Sequence, residues 1–408
     1  MSAKIKLSAA VFALALVLRL ITLMFVLPKL RSNADPDSYR TLAQNLAAGK
    51  GLVSTAADGR ELPNVWRTPG YPLFLAGLIR MFGDRLGLFL AVQCVLGALT
   101  CALTLVLASR WLRHGAALVA GLLVAIDPNS VLRCSDIRTE TLFTLLIVGG
   151  ACVIVWRSDK MWGWLATGLL WSLATMTRPI AVWIWVVALV IVVGQRVSWR
   201  DRGFYLAAFL IGFLPLEGLW VARNHAISGR YFISTIPTHN LMFRALGVEA
   251  ERQGRKLEDL QHEFYAQHGD LQFFDDPVRF EQSLRAYKQF ASEHLFSAPL
   301  HLAKEAVVGC GKLLFGPGVR ALDNAVTRPV PSSRWWPPLY SAALLVVALL
   351  SLLGVRRLGR EAIVPALLLL YFVTLSSGSE SNSRFRVPIT PLLAVLAVAG
   401  ACGPEKKI

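Results

Sequence analysis

Long apolar runs broken by short polar punctuation dominate the chain, and the runs are continuous rather than alternating. That pattern predicts membrane-spanning helices and argues against a β-barrel, whose strands alternate apolar and polar positions. Ten stretches read as spans: Leu7–Leu27, Leu86–Ala108, Ala116–Leu132, Thr139–Trp156, Trp162–Thr177, Pro179–Gly194, Gly203–Ala222, Leu339–Gly354, Ala362–Ser376 and Val387–Cys402. Several are short for a hydrocarbon core of ~30 Å. Lys4 and Lys6 precede the first stretch and no small-residue cleavage site follows it. We therefore read it as a retained helix rather than a removed signal peptide.

Between these stretches lie two long polar segments, 28–85 and 223–338. The second reads as a small α/β or mostly helical insertion. Arg230–Ile236 is expected as a short strand and Glu249–His268 as one polar-faced helix. Asp276 before Pro277 marks the start of a further helix with Phe280, Leu284, Tyr287, Ala291 and Leu295 at helical spacing. Leu300–Phe315 is apolar but interrupted by Lys304, Glu305 and Lys312, as in an interfacial amphipathic helix. The predicted organisation is an N-terminal membrane module over 1–222, the insertion over 223–338, and C-terminal membrane helices over 339–408. The fold class is an all-α polytopic membrane protein with about ten transmembrane helices.

Composition supports the class: 55% of residues are hydrophobic, 17% are charged, and mean hydropathy is +0.51. The distribution of basic residues adds an orientation. With the N-terminus inside, the short inner loops and the two termini hold 14 lysines and arginines, against five (Arg133, Arg138, Arg178, Arg384 and Arg386) in the short outer loops. Positive-inside bias then places both termini in the cytoplasm and the two long segments outside. The net charge of +16 is explained by this topology and by contact with anionic membrane lipids. No basic stripe interleaved with aromatics appears on a soluble segment, so nucleic acid is not an expected partner. The six cysteines form no Cys-x-x-Cys pair and no dense framework.

The outer loops carry the candidate chemistry. Asp35-Pro-Asp-Ser-Tyr39 lies just beyond the first span, and Trp66-Arg-Thr-Pro-Gly-Tyr-Pro72 follows in the same loop. The shorter outer loops add Arg133, Asp136, Arg138 and Glu140, then Arg178, then Arg223 with Asn224 and His225, then Glu380, Arg384 and Arg386. Charged groups beside a bilayer are costly and are either paired or functional. Clustered arginines suit a phosphate, whose oxygens match the guanidinium fork. A carboxylate beside them could take a proton from an acceptor hydroxyl or amine while cations stabilise a departing phosphate. No nucleotide-binding glycine loop, serine elbow or His-Glu-x-x-His pattern is present.

Structural readings stand beside the functional ones. Asp35 could cap the helix that begins near Asp37. Arg67 could anchor at the interface, and Arg178 could snorkel from a helix end. Asp136 and Glu140 are expected to pair with Arg133 and Arg138, against a metal- or acceptor-binding role. Arg384 and Arg386 flank Phe385, so one of them should face inward. Arg19, inside the first span, either snorkels or pairs with Glu217. His225 and His239 read as ordinary surface or hydrogen-bonding groups.

Asp35-x-x-x-Tyr39, followed by Leu42-Ala43-x-Asn45-Leu46-x-x-Gly49-x-Gly51, resembles the first outer loop of the glycosyltransferase C superfamily. The likeness is to bacterial proteins related to protein O-mannosyltransferases and the lipid A aminoarabinose transferase. Arg67–Leu75, Ser135–Phe143, Thr177–Pro179, Trp220–Asn224 and Ser383–Pro388 resemble later landmarks of that superfamily, in order. The resemblance implies a glycosyltransferase C arrangement of helices in a bacterial inner membrane. It also implies inverting transfer of a sugar from a polyprenyl-phosphate donor to an extracytoplasmic acceptor. Asp35 would be the general base, and Arg67 with the last outer loop would hold the donor phosphate. Asp37, Tyr39, Tyr71, Asp136, Glu140, Arg178, Arg223, Glu380, Arg384 and Arg386 are the further candidate substrate-binding residues. The chain departs from the family pattern at Pro36, where a Glu is usual, and at Trp66, where a carboxylate commonly precedes the basic residue. Glu61 or Asp37 would have to supply the second acid. No cofactor is expected, and a divalent metal has no support in the sequence. Two non-enzymatic readings compete: a polyprenyl-phosphate or lipid transporter, and an assembly partner that has lost catalysis.

Overall fold

A computed structural model describes residues 3–29, 38–56, 59–295, 297–318, 336–378 and 380–405. Its helices are α1 (Ala3–Val26), α2 (Tyr39–Ala47), α3 (Gly70–Phe82), α4 (Leu86–Ala108), α5 (His114–Ile126), α6 (Pro128–Leu132), α7 (Glu140–Arg157), α8 (Met161–Thr177), α9 (Ile184–Gly194), α10 (Trp199–Ser228), α11 (Ile236–Gln253), α12 (Leu257–His268), α13 (Pro277–Leu295), α14 (Pro299–Phe315), α15 (Trp336–Leu358), α16 (Ile363–Ser376) and α17 (Thr390–Cys402). All ten predicted stretches are helical over most of their length. By length and apolar character, six helical segments among the described residues can cross a membrane, or seven if the bent pair 114–126 and 128–135 is one span.

That bend of 54° has a visible cause in the sequence. Asp127-Pro128 ends one helix and caps the next, the Asp127 carboxylate accepting from Ser130 N–H at 2.8 Å. The carbonyls freed at the end of α5 are taken by Arg19, whose fully buried guanidinium donates to Ala125 O at 3.2 Å and Val124 O at 3.4 Å. Arg19 therefore neither snorkels nor meets Glu217. The latter accepts from Ser172 Oγ at 2.9 Å instead.

Small residues let the helices touch backbone to backbone. A Cβ on Gly354 of α15 would lie 1.9 Å from Leu396 O, and one on Gly400 of α17 would lie 1.9 Å from Leu350 O. Close approach of this kind supplies dispersion between helices where lipid offers no hydrophobic drive.

The insertion is helical among the described residues, and the expected strand at Arg230–Ile236 does not form. Its carbonyls are taken by side chains of α10. Asn224 donates to Phe232 O at 2.9 Å and Trp220 Nε1 to Ile233 O at 2.8 Å. The expected helix Glu249–His268 is two helices, α11 and α12, because Gly254 turns the chain at a φ of +64°. Asp276 does cap α13, its Oδ1 accepting from Val278 and Arg279 N–H, each at 2.9 Å. Phe280, Tyr287, Ala291 and Leu295 are buried as their spacing predicts. The strands lie elsewhere, in an antiparallel hairpin of β1 (Val53–Thr55) and β2 (Glu61–Pro63) within the first long segment.

Candidate functional site

The hairpin delivers Arg67 through a local turn. Asn64 Oδ1 accepts from the N–H groups of Trp66 (3.1 Å) and Arg67 (2.8 Å), an Asx-type turn that aims the next residues. Gly70 then lets α3 begin against the end of α8. A Cβ there would sit 2.7 Å from the Met176 carbonyl, so the Thr-Pro-Gly-Tyr-Pro motif is a packing requirement beside Arg178. Arg67 lies over the Tyr39 ring at 4.9 Å, with Nη1 at 3.5 Å from the Tyr39 hydroxyl.

Beneath Tyr39 lies Tyr71, edge-on at 5.0 Å and fully buried. Its hydroxyl donates to Gln93 Oε1 at 2.8 Å, and Gln93 Nε2 donates onward to Asp136 O at 2.8 Å. Tyr71 is thus a core support linking α3 to the 133–138 turn, not an exposed ligand.

Asp136 pairs as expected, with Arg133 at 2.9 Å and Arg138 at 2.6 Å. Glu140 does not join that pair. Wholly buried at the start of α7, it meets Arg178, 38 positions away, at 2.9 Å, and Arg384, 244 positions away, in a second ion pair. Arg178 also lies against the faces of Phe143 and Phe385, at 5.5 and 5.4 Å. Glu140 thereby gathers two guanidinium groups from opposite halves of the chain, whose side chains remain 13% and 20% exposed.

Two other candidates, Arg223 and Arg386, have structural work. Arg223 donates to Asn64 O (3.0 Å), Leu52 O (3.3 Å) and Asn224 Oδ1 (2.8 Å), so it tethers the hairpin to α10. Arg386 is fully buried and donates to Leu313 O (3.0 Å), Leu314 O (3.2 Å) and Gly316 O (2.9 Å), closing the C-terminus of α14. Glu380 is half-buried on the approach to the same loop. Burial pushes its carboxyl above the usual carboxylate range, and the Arg244 charge draws it partly back. Glu61, a proposed second acid, is held at the surface by Lys50 at 2.5 Å. Asp35 and Asp37 lie outside the described residues. His225 stacks on Tyr231 at 4.1 Å, and His239 Nε2 lies 2.5 Å from the Tyr265 hydroxyl.

Asn64, Gln93 and Arg244 are the positioning residues that the sequence reading missed. Only Asn64 had a legible signal, as an Asx residue just ahead of a rigid Pro-Gly motif. No group of three or more His, Cys, Asp or Glu side chains that could hold a metal occurs among the described residues.

This is the helical architecture of a multi-pass membrane protein with a charged cluster gathered at one end of the bundle. Residues 66–220 match the family model described as dolichyl-phosphate-mannose-protein mannosyltransferase. The match takes in Arg67, Asp136, Glu140 and Arg178. Among solved structures, the archaeal oligosaccharyltransferase AglB from Archaeoglobus fulgidus, in complex with an inhibitory peptide and a dolichol-phosphate, is similar at 13% identity and a TM-score of 0.55. That match covers 98% of this chain and 52% of that one, so the chain spans about half its length. The same oligosaccharyltransferase in its apo form gives 11% identity and a TM-score of 0.54, with 97% and 50% covered. ArnT from Cupriavidus metallidurans in the apo state is similar at 15% identity and a TM-score of 0.42, with 98% and 77% covered. No curated protein matches. The family model covers residues 66–220, and the likeness to the oligosaccharyltransferase structures is one of fold.

Proposed function

We propose that the protein is an inner-membrane glycosyltransferase that moves a sugar from a polyprenyl-phosphate donor to an extracytoplasmic acceptor with inversion. The observation that carries this reading is the Glu140 junction, which turns Arg178 and Arg384 toward one point. Guanidinium groups held in this way match phosphate oxygens in geometry and remain charged at any physiological pH.

In the proposed reaction an acceptor hydroxyl or amine attacks the anomeric carbon from the face opposite the phosphate. The carbon–oxygen bond to phosphate breaks, and its electron pair leaves with the polyprenyl phosphate. Arg178, Arg384 and Arg67 offset the charge that grows on that oxygen. Asp35, by resemblance to the family's first-loop aspartate, takes the proton from the acceptor. Both termini would be cytoplasmic and the cluster would face outward, as the positive-inside bias indicates. The acceptor is a lipid, glycan or protein on that side.

The test is transfer from a radiolabelled polyprenyl-phosphate sugar in membranes containing the protein. Wild type should form labelled product. Asp35→Asn should abolish product while leaving donor binding in place. Labelled lipid that crosses the membrane with no product formed would replace the enzyme reading with a transporter.

A further inference from the structure

The loop that carries Arg384 is held at two ends, and the second hold comes from the insertion. From α11, Arg244 Nη2 donates to Ser377 O at 3.1 Å. Its guanidinium lies flat enough over Gly378 that a Cβ there would sit 2.6 Å from Nη2 and 2.7 Å from Cζ. From α14, Gly309 meets the same turn, where a Cβ would lie 2.5 Å from Gly378 N. Ser381 Oγ then donates to Gly309 O at 2.7 Å. At the next residue, Asn382 Oδ1 accepts from Arg384 N–H at 2.9 Å, setting the direction in which that side chain leaves the backbone. Its guanidinium ends on Glu140.

We propose that the insertion sets the reach of Arg384 into the donor-phosphate subsite, with Arg244 as the positioning residue. The inference rests on the reading of Arg384 as a phosphate ligand. Each loop residue left unfixed adds a backbone-entropy cost when a ligand must order it. Arg244, Gly309 and Ser381 remove that cost ahead of binding, because they hold the turn before any phosphate arrives. Two glycines meeting backbone to backbone under a planar guanidinium also leave no slack for the turn to shift. Arg244 is, in addition, a cation that acts on both Glu305, beside His301 and Lys312, and Glu380, whose carboxyls burial pushes upward. A purely electrostatic role would therefore survive replacement by lysine, whereas a positioning role needs the flat guanidinium over Gly378.

The experiment measures binding of polyprenyl phosphate to the full-length protein in nanodiscs, with thermal unfolding recorded in parallel. Arg384→Ala should weaken binding about 100-fold, and Arg244→Ala about tenfold, the range for losing one to two charge-assisted hydrogen bonds. The double variant should bind no worse than Arg384→Ala alone, because Arg244 acts only through Arg384. Arg244→Lys and Gly378→Ala should each lose most of what Arg244→Ala loses, with unfolding temperatures near wild type. Independent, multiplying losses in the double variant, or full affinity in Arg244→Lys, would overturn the proposal. Unchanged binding in Arg384→Ala would instead remove the phosphate-ligand reading, and the positioning role with it.

Discussion

Arg384 and Arg386 stand two positions apart on one turn and serve opposite ends. Arg384 reaches a buried carboxylate and stays partly open to the outside. Arg386 turns inward, loses all exposure and spends its donors on the carbonyls of Leu313, Leu314 and Gly316 and on the Tyr340 hydroxyl at 3.2 Å. Arg19 repeats the second pattern at the end of α5. Guanidinium groups bound to helix-end carbonyls cannot release them without leaving buried acceptors unpaired, so they staple the bundle. A guanidinium held by a carboxylate can share its donors with an incoming anion. The difference separates a fastening from the group we propose as a phosphate ligand, where the residue type is identical.

The widest effect should come from breaking the inward arginine. Arg386→Met leaves one buried and two part-buried carbonyls without that donor and is expected to cost about 3 kcal/mol of stability or more. Thermal unfolding in detergent should show it as a large drop in midpoint, with Arg384→Ala losing less than half as much. Equal losses for the two variants would erase the distinction.

A smaller and different effect should follow from Arg384→Lys, which keeps the charge and removes the two-pronged donor. Donor KM should rise about tenfold with kcat little changed, since a point charge recovers only part of a bidentate contact. Arg386→Lys should leave KM alone in whatever fraction remains folded.

The mildest effect concerns pH and belongs to the insertion side of the loop. Burial holds the His239 imidazole below its ordinary value, so the folded state prefers it neutral. The stability this contributes is present above about pH 6.5 and is lost as pH falls through the depressed folded value. Unfolding followed from pH 7.5 to 5 should show a shallow loss, which His239→Gln should flatten. If the Arg384 loop depends on α11 of the insertion through Arg244, donor affinity should fall in the same pH range before the membrane helices unfold.

Much of the architecture was legible because it rests on sums over neighbouring residues. Apolar runs and the Asp276-Pro277 cap each carry their signal within a few positions, whereas the single span expected over Ala116–Leu132 is broken at Asp127-Pro128. The strand expected at Arg230–Ile236 failed because Asn224 and Trp220, outside that window, take its carbonyls. Arg133, Asp136 and Arg138 were paired correctly because partners two or three positions apart have little choice. Glu140 was paired wrongly because its partners are 38 and 244 positions distant.

By itself, the sequence determined that this is a polytopic helical membrane protein with charged loops at one end, and its ordered motifs resemble one superfamily. Those properties follow from composition, periodicity and local turn chemistry, which need no knowledge of the contacts. Only the tertiary structure decided which arginines fasten helices and which meet at Glu140. A guanidinium's partner is whatever acceptor lies within about 3 Å. In this chain the acceptors that separate Arg384 from Arg386 come from α7 and from the end of α14, segments brought to one turn by helix packing alone.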